Sequence, residues 1–276
     1  MPVWPGLSRG HFIQGTAATA SGQGSVTLTA HATAHTKATG WTQVVASLEA
    51  GASGLLIAVG GEALTANVNF YVDLAVGGAG AELPLISNLW LSNGTWLNRY
   101  ALYHFPVSLA KGTRIAAKCS AAVGSSALRI SVNAFSSHWL GSAPAGPIVT
   151  YGATTATSNA LAPSPPGSAN TEGNWTQLIA ATTVAHRGLI LACGKDYTDT
   201  ALLSANVAID IGVGAAGVEQ EMLSDVVCAP NVTADFVYPA TLGPLPVPIP
   251  KGSRLAMRYR SSSTQTGVQF VAYGVG

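Results

Sequence analysis

The feature that most constrains this chain is a duplication. Gly40-Trp41-Thr42-Gln43-Val44-Val45-Ala46 returns as Asn174-Trp175-Thr176-Gln177-Leu178-Ile179-Ala180. Val72-Asp73-Leu74-Ala75-Val76-Gly77 returns as Ile209-Asp210-Ile211-Gly212-Val213-Gly214, and the match continues through Ala79, Gly80 and Glu82 to Ala216, Gly217 and Glu219. Lys111-Gly112-Thr113-Arg114 returns as Lys251-Gly252-Ser253-Arg254. The blocks keep their order and their spacing drifts slowly, which is the pattern of two copies of one domain separated by small loop insertions. Copy one is expected over residues 25–140 and copy two over 147–276, joined by a linker at 141–146. Residues 1–24 precede the first repeat without a core pattern; they read as an arm that lies on a neighbouring subunit.

Strand signals fill both copies. Ser25 to His31, Asn67 to Leu74, Arg129 to Phe135, Ala205 to Ile211 and Val268 to Tyr273 alternate in polarity, and Gly, Pro and Ser turns separate them. No stretch holds an apolar 3.6-residue period. The predicted fold class is therefore all-β, with two tandem antiparallel β-sandwich domains of jelly-roll type. Gly54-Leu55-Leu56-Ile57-Ala58-Val59-Gly60 and Gly188-Leu189-Ile190-Leu191-Ala192-Cys193-Gly194 are apolar at every position and predict central strands covered on both faces. Trp41 and Trp175 are expected to plug one end of each core. The glycines of Val76-Gly77-Gly78-Ala79-Gly80 and of its partner block are expected in turns needing positive φ.

Charged residues make up 9% of the 276 positions, with 31 Gly and 15 Pro. An average soluble domain carries roughly 25% charge. A surface so poor in charge fits a chain that is covered by neighbouring subunits, the alternative being an unusually neutral secreted β protein. The formal net charge of +1 predicts no nucleic-acid partner. No apolar run is long enough for membrane insertion by a helix. The first residues lack the basic start and apolar run of a signal peptide, so synthesis in a reducing cytosol is expected. Cys119, Cys193 and Cys228 are read as small core residues.

Candidate chemistry is sparse. Asp73 with Glu82, and Asp210 with Glu219, lie nine residues apart in both copies and have the composition of a glycosidase carboxylate pair. Their place around a Gly-rich turn favours a structural role instead. His31 and His35 share one strand face at too great a spacing for one metal, so no metal and no cofactor is expected. The segment that differs most between copies holds Trp90, Trp96, Arg99 and Tyr103. Aromatics and Arg of this kind serve as a subunit contact, stack on a sugar, or pack locally within the domain.

At Trp-Thr-Gln, Asp210 to Gln220 and Pro246 to Ala256, the chain resembles β-sandwich virion proteins of tailed bacteriophages, of the head-surface, spike or tail-fibre type. The resemblance covers most of both copies. It implies a non-enzymatic structural protein located in the virion, whose partners are other virion proteins and copies of itself. An adhesin module for host surface glycans is the alternative, and a glycan hydrolase or esterase a third.

Overall fold

A computed structural model describes residues 11–15, 24–61, 68–93, 100–136, 148–195, 206–228, 240–264 and 267–276. None of these is helical. The strands of copy one are β1 (His11–Gly15), β2 (Val26–Thr29), β3 (Thr42–Val45), β4 (Gly54–Gly61), β5 (Val68–Val76), β6 (Leu83–Asn93), β7 (Tyr100–Phe105), β8 (Ile115–Ala121) and β9 (Ala127–Ser136). Those of copy two are β10 (Ile148–Tyr151), β11 (Ala153–Thr154), β12 (Asn159–Ala160), β13 (Thr176–Ile179), β14 (Gly188–Lys195), β15 (Val207–Val213), β16 (Gln220–Cys228), β17 (Ala240–Leu245), β18 (Leu255–Ser261) and β19 (Val268–Val275).

Copy two forms one sheet in the order β10-β19-β14-β17 and a second in the order β13-β18-β15-β16. Copy one repeats this as β1-β9-β4-β7, with β2 also on β9, and β3-β8-β5-β6. All these pairings are antiparallel. Two four-membered sheets whose neighbours are mostly distant in sequence are the jelly-roll form of the sandwich. Alternation sets the layers. Leu128, Ile130, Val132 and Ala134 of β9 and Leu55, Ile57 and Val59 of β4 are buried in the core of copy one with Phe70, Val72 and Leu74.

Three expectations change. First, part of the presumed arm is a strand: β1 pairs along the end of β9, matching Phe12 to Phe135 and Gly15 to Asn133. It occupies the position that β10 holds in copy two. A short edge strand is ordered by its partner's backbone ladder and needs no apolar period of its own. Second, Trp41 and Trp175 are partly exposed and precede β3 and β13 without entering the core. Lys118 Nζ stands 4.4 Å above the Trp41 ring and Arg258 Cζ 4.5 Å above that of Trp175. Third, the double-sided burial read for both central strands holds fully in β14 and only on the core side of β4, where Leu56 and Ala58 remain partly exposed.

The difference arises because copy one covers copy two. Ile190 and Ala192 of β14 and Val271, Tyr273 and Val275 of β19 point away from their own sandwich and into the core of copy one. Strands β6 and β7, edge strands of the two sheets of copy one, meet β10, β14, β17 and β19. The linker at 141–146 lies outside the described residues.

Candidate functional site

The repeated charged residues build the same turn clamp twice. Glu82 accepts the Gly80 N–H at 2.9 Å and pairs with Arg114 at 2.9 Å; Arg114 also donates to Gly77 O and to Gln43. In copy two Glu219 accepts the Gly217 N–H at 2.9 Å and pairs with Arg254 at 2.8 Å, and Arg254 donates to Gly214 O and Gln177. Gly77 and Gly80 hold φ of 116° and 82°, and Gly214 and Gly217 128° and 83°. At Gly77 a Cβ would stand 2.7 Å from Ala81 O, so glycine is required for space as well as for φ. Burial alone would raise both glutamates, but the N–H and guanidinium donors outweigh it and hold them below the ordinary carboxylate value.

The aspartates are equally committed. Asp73 and Asp210 accept the N–H of Asn88 at 2.9 Å and of Asp225 at 2.8 Å, each at a bulge with φ of 56°. Asp73 pairs with Lys37 at 2.7 Å and Asp210 with Arg258 at 2.9 Å. Asp210 thus spends one oxygen on backbone and the other on a cation, while in Asp73 a single oxygen, Oδ1, takes both partners. Glu172, Asp210 and Asp225 converge closely enough to hold a cation. Arg258 and Arg260 pair with that cluster and with Glu221, two cations against four carboxylates.

The two histidines do not share a strand. Both lie in the loop after β2, where His31 Nδ1 accepts the Thr33 N–H and His35, at φ 62°, hydrogen-bonds Ser158 Oγ across to copy two. The three cysteines are buried thiols, as expected, and burial pushes that of Cys119 up to about 12.

Trp90 and Tyr103 come together at the junction of the copies. Both are wholly buried, so neither presents an open surface to a partner. Their packing is completed from within the chain: Tyr273 reaches across from β19, accepts the Trp90 N–H at 3.0 Å and donates to Asn88 O at 3.2 Å. Tyr103 donates to Trp90 O, and its ring meets that of Tyr273 edge-on at 5.6 Å, as does that of Phe105. Trp96 and Arg99 lie outside the described residues.

Beside this aromatic set, Tyr71 OH donates to Asn159 O at 2.6 Å and Asn69 Nδ2 to Asn159 Oδ1 at 2.7 Å. Tyr71, Asn159 and Tyr273 were not among the expected contact residues. The signal was available: Tyr71 aligns with Ala208, and strand register matches Tyr273 to Asn133. These are differences between copies of the same kind as Trp90.

No protein-family model matches the sequence, and no curated protein matches it. Among solved structures the chain is similar to the STIV MCP, a viral major capsid protein, at TM-score 0.42 and 7% identity over 91% of this chain and 95% of that one. It is also similar to PNGF-II at TM-score 0.33 and 9% identity, over 91% of this chain and 65% of that one. At TM-scores below 0.5 neither superposition defines the fold, which rests on strand order and register.

Proposed function

We propose that this protein is a non-enzymatic structural subunit of a tailed-bacteriophage virion. It stands at the particle surface as a head-decoration, spike or tail-accessory protein, in contact with other virion proteins and with copies of itself. The observation that carries this reading is the use of its residues. The repeated carboxylates and arginines are spent on turns and bulges in both copies, while β16 and the turn before it leave Val218, Met222 and Val227 exposed in a chain with 9% charge. Exposed apolar side chains are what subunit contacts use. The sequence resemblance to phage sandwich modules supplies the choice of particle. A glycan-binding role would rest on Trp96 and Arg99, because Trp90 and Tyr103 are enclosed.

The test is quantitative mass spectrometry and antibody labelling of purified particles of the phage that encodes the chain. Many copies per particle, accessible to antibody on intact virions, are expected. Absence from the particles, or turnover of a glycan by the purified protein, overturns the reading.

A further inference from the structure

The two copies are joined in the chain through two unlike surfaces, and each copy has its own version of both. Copy one contributes the β6 side of its β3-β8-β5-β6 sheet, and copy two contributes the outer face of β14 and β19. Strand register identifies the counterparts. Tyr71 pairs with Trp90 and Ser120, and Ala208 pairs with Val227 and Arg260. His35 and Asn170, at φ 62° and 60°, donate their N–H to Ala121 O and Ser261 O, both at 2.7 Å. The surface of copy one that receives Ser158 and Asn159 therefore corresponds in copy two to the region around Asn170, Asn206, Ala208 and Val227.

In copy two that region is open. It is a cavity of about 390 Å³ lined by Asn170, Asn206, Ala208, Val227, Arg260 and Ser262, among others. Val227, at the position of the enclosed Trp90, is 57% exposed. The other half of the contact is partly exposed at the opposite end of the chain. Leu56, Ala58, Asn133 and Phe135 on the outer face of β4 and β9 match Ile190, Ala192, Tyr273 and Val275 by register, and all four are partly exposed. One such contact is made inside the chain, and one half of it is left over at each end.

We infer that a second copy of this chain fills the cavity: the Val227 side of copy two docks on the outer face of β4 and β9 in copy one of the next molecule. The inference deepens the assembly reading above and rests on its claim that copies associate. Two unlike surfaces that repeat from molecule to molecule make a head-to-tail contact, which closes into a ring or runs on as an array. The occupant is specified by continuity, since Trp90, the counterpart of Val227, is already covered by Tyr273 of the equivalent face in copy two, while Ser158 and Asn159 cover the adjoining His35 and Tyr71.

The test compares three forms of the full chain by light scattering and native mass spectrometry. Val227→Arg charges the cavity lip and Ala58→Arg charges the outer β4 face, at two positions that are not enclosed. Wild type is expected to associate. Each variant alone should be monomeric, with association weakened roughly tenfold or more and thermal unfolding unchanged. An equimolar mixture of the two should give a heterodimer and nothing larger, because each variant keeps the half that the other lacks. Should Val227→Arg disturb folding, Ser262→Arg charges the same cavity from an exposed position. A monomeric wild type overturns the assembly reading and this inference together. An oligomer indifferent to the variants, or a mixture without heterodimer, overturns this inference alone.

Discussion

At the scale of residues, one hydroxyl carries an unusual share of the junction. Tyr273 OH accepts the buried Trp90 N–H and donates to the carbonyl of the half-buried Asn88. Tyr273→Phe keeps the ring packing and leaves the buried Trp90 N–H without this partner, so a loss of about 1–3 kcal/mol is expected in chemical denaturation. An unchanged midpoint would show that the hydroxyl contributes nothing. The clamp glutamates predict the acid limb of stability. Both are held below the ordinary value of 4.5 in the folded chain, so the stability they supply is complete above that value and is lost as pH falls through the folded value. Glu82→Gln with Glu219→Gln should lower the melting temperature at neutral pH and flatten its fall on acidification. A variant that keeps the wild-type acid profile would contradict the clamp.

At the scale of elements, the turn blocks and the alternating strands were legible because each is a local constraint. Gly77 and Gly214 need positive φ, and β9 shows its buried face every second residue. What stayed hidden was set by distant partners. β1 owes its place to β9 and has no pattern of its own to display. The carbonyl and amide contacts of Asn159 depend on how one sandwich sits against the other. Trp41 and Trp175 were misplaced because large aromatics usually fill cores, whereas here Lys118 and Arg258 cap their rings on the outside. Deleting residues 1–15 should destabilise copy one, since it strips an edge strand from β9. Thermal unfolding identical to that of the full chain would return these residues to the role of an arm.

At the scale of the whole molecule, the two sandwiches form one folding unit because the outer face of β14 and β19 is completed by copy one. Residues 148–276 produced alone should expose Ile190, Val271, Tyr273 and Val275, and should aggregate or melt well below the full chain. A soluble fragment with the full chain's stability would mean that the junction is incidental. The duplication was visible in the sequence from its repeated turns, but the unlike surfaces that join the copies were not, because they lie where the repeats diverge. The central claim is that the same head-to-tail contact operates within and between molecules. The most direct measurement is a side-chain-resolution electron cryomicroscopy map of the chain in its assembled particle. The account predicts Val227 and the adjoining cavity covered by the outer face of β4 and β9 of a neighbouring molecule. A map in which both surfaces face solvent would contradict it.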